Sequence, residues 1–458
     1  MDASSIRIED QLVEGISDLC YEDLDADTVN YCKQLLMDTL GVTFPGSRAP
    51  GCTELVDLVR NWATPEGAPV LLHGFRAAPP QAALVNSTMM HALDFDDTLD
   101  ASALHAMVTA LPAALSAAAT RGRISGRDLI SALVLGVDVT ARISLGIQQP
   151  LSWIRTATCG TFGAAAAAAR TLGLKGERLA DAFGIAYSQT AGNAQGLIEG
   201  RLVKRMQPGF AASAGVTAAL LAQQGITGSR GFLTGRYGYY RLYENDAFDP
   251  HPVVAALGRH FHIKDLSIKP YPCCRMTHSS IDAALDLRHA LTDATPIKQV
   301  AVAASEMVTT MVGKPFQRGD NPQVDAQFSI PYTVACALLQ GDVFLQDFTE
   351  EATDRPAILA LADKVTVTAD NRLPAKDLFR ATVTVHIADH APRSRQITLP
   401  RGNPGNPLDT DQCREKFTKC LAYSRLPVFE ARRDDLLECI QQLETLADIG
   451  RLLALMQP

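Results

Sequence analysis

The sequence predicts a mainly α-helical protein, with a large all-helical domain formed by both chain ends and a smaller α+β domain between them in the chain. Three observations carry this expectation. Residues 79–225 are a succession of alanine-rich stretches at helical spacing, punctuated by glycines such as Gly122, Gly146, Gly173 and Gly225. Period-two alternation appears only later, in residues 364–369 (KVTVTA) and 380–387 (RATVTVHI). The last stretch of about fifty residues reads as helix again and is expected to return to the first helical body. The boundaries follow these changes of character: 1–266 together with 404–458 for the helical domain, and 267–403 for the α+β domain.

In chain order, residues 8–41 read as two helices, with Asp25 or Asp27 capping the second. Residues 51–62 are helical, and 69–72 (PVLL) are a short extended piece. Helices are then expected at 79–90, 104–120, 126–143, 161–172, 176–190 and 210–224. The α+β segment holds helices at 277–291 and 329–339 and strands at 299–304, 364–369, 380–387 and 395–399, read as an antiparallel sheet. Helices at 409–422 and 433–455 close the chain. No repeat of solenoid length is evident.

Composition narrows the function. The chain has 458 residues, 47% of them apolar and 20% charged, a globular balance with room for two domains. A net charge of −8 without any Lys/Arg-rich run argues against nucleic acid as a partner. The ten cysteines are scattered without a CxxC pair, so they read as reduced, mostly packed thiols, which predicts a cytoplasmic protein. The acidic N-terminal stretch lacks the apolar core of a signal peptide. The longest apolar runs fall short of the roughly 18 residues a membrane span requires, so no membrane partner is expected.

Four constellations carry chemistry. The first is residues 90–100 (MHALDFDDTLD) with His105, which puts Asp94, Asp96, Asp97, Asp100, Thr98, His91 and His105 among apolar flanks. Buried charge is costly unless paired or used. A helix through 94–98 would place Asp94, Asp97 and Thr98 on one face, and an aspartate beside His105 would fix the tautomer of a general acid/base. The bland alternative is a capped helix start at Asp97 or Thr98. The second is residues 203–210 (VKRMQPGF), where Lys204 and Arg205 beside a Pro-Gly helix start would make an anion-binding corner; the alternative is a solvated basic loop. The third is 267–278 (SIKPYPCCRMTH), a proline-stiffened segment with Lys269 and Arg275 at the domain boundary, where clefts form. Its Cys273 and Cys274 read as packed thiols rather than nucleophiles. The fourth is 326–332 (AQFSIPY), in which Tyr332 alone would pass for a core aromatic.

One competing motif needs weighing. Residues 96–100 match DDxxD, which binds Mg²⁺–diphosphate in helical isoprenoid synthases. The required second acidic motif would have to be Asp434-Asp435-Leu436-Leu437-Glu438, aromatics are only 6%, and that fold has no α+β part. The reading is disfavoured.

At the four constellations, and along nearly its whole length, the chain resembles the MmgE/PrpD family, which includes 2-methylcitrate dehydratase, cis-aconitate decarboxylase and iminodisuccinate epimerase. The resemblance rests on HALDFDDT (91–98), TATCGTFGAAAAAARTLGL (156–174), the KR…PG segment (204–209), KPYPCCRMTH (269–278), FSIPY (328–332) and GNPGNPL (402–408). It implies a helical domain plus an α+β lid domain with the active site between them, a homodimer, and no metal or other cofactor. It also implies a small di- or tricarboxylate substrate. His105, Lys204, Lys269 and Asp94 would be catalytic. The lysines would neutralise charge built up beside a carboxylate, His105 would move the proton, and Asp94 would orient it. Thr98 and Tyr332 would donate hydrogen bonds to substrate. Arg275 and Arg155 are further candidates for its carboxylates, read from their charge and place in the sequence rather than from the resemblance. Two positions depart from the family pattern. Ile154, after Trp153, and Gln207 stand where many relatives carry histidine, and the spacing from Thr98 to His105 is one residue longer than in the decarboxylase. A cofactor-independent hydro-lyase acting on a 2-methylcitrate-like hydroxy acid is therefore the leading expectation. An epimerase of the iminodisuccinate type, a cis-aconitate decarboxylase and a non-catalytic dimeric binding protein follow.

Overall fold

A computed structural model describes residues 7–150, 153–289, 296–388 and 390–458. The chain divides into two compact units, residues 1–268 with 409–458, and residues 269–408. The architecture is mainly α, with strands confined to a small hairpin and one four-stranded sheet among the described residues.

The first unit is built on close helix approach. The helix Arg155–Thr171 runs through its centre, and Ala164 to Ala169 are fully buried. Small residues are obligatory here. A Cβ on Gly163 would fall 1.8 Å from Thr140 Oγ1, and one on Gly215 would fall 2.4 Å from Ala164 Cβ. The helices Met107–Arg121, Gly126–Leu145 and Val203–Gln223 pack around it. The expected cap at Asp25 forms: its carboxylate accepts from the Thr28 N–H at 2.6 Å and starts the helix Ala26–Gly46. Strands β1 (Ala63–Val70) and β2 (Phe75–Ala77) make an antiparallel hairpin that takes in the piece read as 69–72. The helix Thr410–Ser424 packs on Ala26–Gly46, within the segment Asp409–Pro458 of this unit.

In the second unit, β3 (Ile297–Ala304), β4 (Val365–Ala369), β5 (Ala381–Ile387) and β6 (Arg393–Ile397) form a sheet in the order β4-β3-β5-β6. One face is apolar: Val300, Val302, Val383 and Val385 are fully buried with the helices His278–Arg288 and Ile330–Gln340. The sheet is mixed rather than antiparallel, because β3 pairs with β4 in parallel, Val300 opposite Val365. Alternation reports which side chains are buried and says nothing of strand direction.

Three further expectations change. Residues 92–106 are irregular, so the helix weighed for 94–98 does not form, and Asp94 stands at φ 54° and Ala103 at φ 51°. The segment read as a Pro-Gly helix start lies inside the helix Val203–Gln223, with Pro208 in its second turn. The single helix expected over 433–455 is broken into Arg433–Gln441, a 3₁₀ turn and Gly450–Leu455.

Candidate active site

The acidic stretch becomes a loop between the helices Pro79–His91 and Met107–Arg121. Its four carboxylates are buried, and each takes different partners. The Asp97 carboxylate accepts from the Ala106 and Met107 N–H groups at 3.0 and 3.4 Å, capping the next helix from ten residues upstream. Asp100 accepts from the Ser267 hydroxyl at 2.6 Å, while Thr98 and Ser267 exchange backbone hydrogen bonds at 2.9 and 2.7 Å. Asp94 stands 3.4 Å from Lys204 Nζ. Asp96, fully buried, lies between two imidazoles. This partition replaces the shared acidic face expected of a helix. It also sends Asp96, Asp97 and Asp100 to separate donors rather than to one cation site.

The histidine pair is the chemical centre of the loop. His91 Nδ1 is 2.8 Å from Asp96 Oδ2, and His105 Nδ1 is 2.9 Å from the same oxygen, the latter at ion-pair distance without full hydrogen-bond alignment. The two rings meet edge to face with centroids 4.8 Å apart. Lys204 Nζ is 3.2 Å from His91 Nε2. An ammonium only donates, so His91 Nε2 accepts and Nδ1 carries the proton toward Asp96. By the same carboxylate His105 presents Nδ1 inward, which leaves Nε2 as the nitrogen for an incoming group. Its ring is also the less buried of the two, with 14% of the side chain exposed against 2% for His91.

Electrostatics follow from burial. Burial pushes the His91 imidazole down to about 4, and Lys204 adds to this while Asp96 opposes it. Burial alone would raise Asp96, but the two imidazoles overcome it and hold the carboxyl well below the ordinary range. Asp97 goes the other way. Burial, then the charge on Asp96, raises it to about 7. Neighbouring carboxyls with opposite shifts are the usual mark of an acid/base site. The donor atoms of His91, Asp96 and His105 lie within 4.8 Å of one another and are of metal-binding type, but the Lys204 ammonium beside His91 places positive charge where a cation would sit.

A distant residue holds this loop. Lys416, on the C-terminal helix, pairs with Asp38, donates to the Phe95 carbonyl at 2.8 Å and covers the Phe95 ring at 3.9 Å. The Tyr31 hydroxyl donates to the Leu266 carbonyl at 2.5 Å, next to Ser267. Nothing local in the sequence marks Lys416, because its partners stand more than three hundred positions away.

The expected site residues are distributed as follows. Asp94, Lys204 and His105 come together in the first unit. The carboxylate against His105 is that of Asp96, two residues on from Asp94. Thr98 is buried and paired through its backbone with Ser267. Arg155 opens the helix Arg155–Thr171 and donates to the Gln149 carbonyl at 2.7 Å, a structural contact. Lys269, Arg275 and Tyr332 belong to the second unit. Lys269 is buried there, and Arg275 Nη1 lies 3.0 Å from the Arg401 carbonyl and 3.0 Å from His278 Nδ1. The Tyr332 hydroxyl donates to the Asp347 carbonyl at 2.5 Å, and its ring packs on Phe316 and Phe348. Of the two departures from the family pattern, Gln207 has a structural use. Its amide accepts from the Asn193 N–H at 2.8 Å and donates to the Asn193 carbonyl at 3.0 Å. Sequence alone places His91, Asp96 and Asp97 in the acidic constellation without giving any of them a part in the proton-transfer site, and it does not mark Lys416 at all; burial is their signal, and it is not visible in a one-dimensional pattern.

Residues 10–251 match the MmgE/PrpD N-terminal domain and residues 271–442 the MmgE/PrpD C-terminal domain. The chain is 29% identical to a cis-aconitate decarboxylase-like protein of Aspergillus oryzae, over 97% of this chain and 96% of that one. It is 27% identical to the cis-aconitate decarboxylase of Aspergillus terreus, over 98% and 96%. With the 2-methylcitrate dehydratase of Cupriavidus necator it shares 25% identity over 79% and 78%.

Proposed function

The chain belongs to the MmgE/PrpD family, and we propose that it is a cofactor-independent lyase or isomerase that moves a proton at a carbon next to a carboxylate of a small di- or tricarboxylate. The observation that carries this reading is the pair of imidazoles on one buried Asp96 carboxylate, with Lys204 closing the far side of His91. His105 is the proposed acid/base. Asp96 holds its Nδ1–H tautomer, so Nε2 takes or returns the substrate proton. Lys204, held between His91 and Asp94, is the proposed cation that stabilises charge developing on the carboxylate. Lys269 is proposed as a second such cation on the strength of the KPYPCCRMTH motif. Thr98 is proposed to hydrogen-bond the substrate.

Dehydration of a 2-methylcitrate-like hydroxy acid is the leading reaction. It is supported by the loss of imidazoles at Ile154 and Gln207, the second of which is committed to backbone hydrogen bonds. Decarboxylation of a cis-aconitate-like acid is the second reading, supported by the nearly full-length match to the fungal proteins. A homodimer is proposed from the apolar residues left exposed on and just before the helix Val203–Gln223, namely Ile198, Leu202, Val203, Phe210 and Leu221. Ten free thiols, nine of them buried, support a reducing compartment such as the cytoplasm.

The test is incubation with a panel of hydroxy and unsaturated polycarboxylates in deuterated water, followed by NMR. Loss of water, loss of CO₂ or exchange at the α-carbon separates the three reactions. His105→Gln and Lys269→Ala are expected to abolish turnover while the circular dichroism spectrum is retained. Unchanged turnover in His105→Gln removes the proton-transfer assignment. Inertness toward the whole panel favours a binding protein.

A further inference from the structure

We propose that His260, His262 and Asp265 form a site for one divalent transition-metal ion of the zinc class, made of residues other than those of the proton-transfer cluster. His260 Nε2 and His262 Nδ1 lie 3.0 and 2.7 Å from Asp265 Oδ2, and the three donor atoms fall within 4.8 Å of one another. The two rings stand edge to face, centroids 4.8 Å apart. Zinc takes imidazole nitrogen and carboxylate oxygen at about 2.0–2.2 Å in a tetrahedron, which sets donors roughly 3.3–3.5 Å apart. An ion held among the three would open the two present pairs from 3.0 and 2.7 Å to that spacing. Local geometry explains the convergence. His262–Asp265 is one 3₁₀ turn, and in such a turn residues i and i+3 eclipse on one side.

The frame that carries these donors is rigid. Arg142, wholly buried, pairs with Asp138 at 2.6 Å and donates to the carbonyls of Ala255 at 2.6 Å and His260 at 2.9 Å. The other Asp138 oxygen accepts from the His262 N–H at 3.0 Å. One buried ion pair thus fixes the backbone of both histidines, which is the support a metal site requires of its surroundings. The neighbouring cation does not compete, because Lys264 turns away to Asp25 at 3.0 Å. The site is reachable: the side chains of His260 and Asp265 are 44% and 40% exposed. Two histidines and one carboxylate leave coordination positions open to water or to a ligand group. Here the contrast with His91, Asp96 and His105 is chemical, since His91 and Asp96 are buried and His91 is shared with an ammonium.

Tag-free protein stripped with EDTA and titrated with zinc chloride by calorimetry tests the proposal, with cobalt(II) absorption as a second readout. Expected are one ion per chain at micromolar Kd or tighter, d–d bands of a four- or five-coordinate cobalt, and a rise in Tm with saturating zinc. His260→Ala with His262→Ala is expected to weaken binding by more than about 10-fold, and Asp265→Asn, a half-exposed isosteric change, to do so in a chain that folds normally. His105→Gln is expected to leave the affinity unchanged. The proposal is overturned by wild-type binding weaker than about 1 mM, by equal affinity in Asp265→Asn, or by a loss that follows His105→Gln instead. None of these outcomes depends on the enzymatic reading.

Discussion

Asp97→Asn isolates the electrostatics of the buried loop without any substrate. Asp97 titrates at about 7 in the folded chain and near 3.9 when unfolded. Between those values the folded state holds a proton that the unfolded state has lost, so stability falls as pH rises, by about 1.4 kcal/mol per unit. His91 behaves in the opposite way. Its folded value of about 4 lies below the unfolded value near 6.5. From pH 6.5 down to 4 the unfolded state takes up a proton that the folded state refuses, so the His91 contribution rises with pH. Over that window each contribution changes by about 3 kcal/mol, and in the wild type they nearly cancel. Asparagine keeps an oxygen to accept from the Ala106 and Met107 N–H groups, so the helix cap survives. Urea unfolding of wild type and variant at half-unit steps from pH 4 to 7 reads the difference directly. The stability of Asp97→Asn relative to wild type should climb by about 3 kcal/mol between pH 4 and 6.5. A difference curve flat to within about 1 kcal/mol refutes the raised carboxyl and the account of the loop built on it.

Two further perturbations probe the same loop. Asp96→Asn removes a charged acceptor shared by two imidazoles, where hydrogen bonds to a charged group are worth about 1.5–3 kcal/mol. A fall in kcat of roughly 10²-fold is expected, together with a change of His105 tautomer seen in ¹⁵N NMR; a kcat within threefold of wild type overturns the role of Asp96. Lys416→Met removes the buried ammonium that pairs with Asp38 and donates to the Phe95 carbonyl, and should cost about 3–5 kcal/mol in chemical unfolding. Stability unchanged by that substitution would mean the C-terminal helix does not secure the loop.

Periodicity was enough for most of the body. The helices Met107–Arg121, Gly126–Leu145 and Gly176–Tyr187 and the strands β3, β4 and β5 lie within a few residues of where spacing put them. Asp94, His105 and Lys204, the last far along the sequence from the other two, lie in one neighbourhood of the first unit. Pattern failed where partners are not local. A helix through 94–98 would gather its acidic residues on one face, yet each carboxylate is better satisfied by a separate partner, among them a lysine on another helix and the Ser267 hydroxyl far along the chain. Gln207 looks like a lost catalytic group and proves to be bound to Asn193.

Residue types and their periods, properties of the chain itself, therefore decided the fold class, the helical body and the kind of chemistry available. Which aspartate meets which imidazole, which carboxyl keeps its proton near neutral pH and which lysine secures the loop were decided only by tertiary structure. Burial and Coulomb coupling depend on distances in space, and the 321 positions between Phe95 and Lys416 leave no trace of such a distance in sequence.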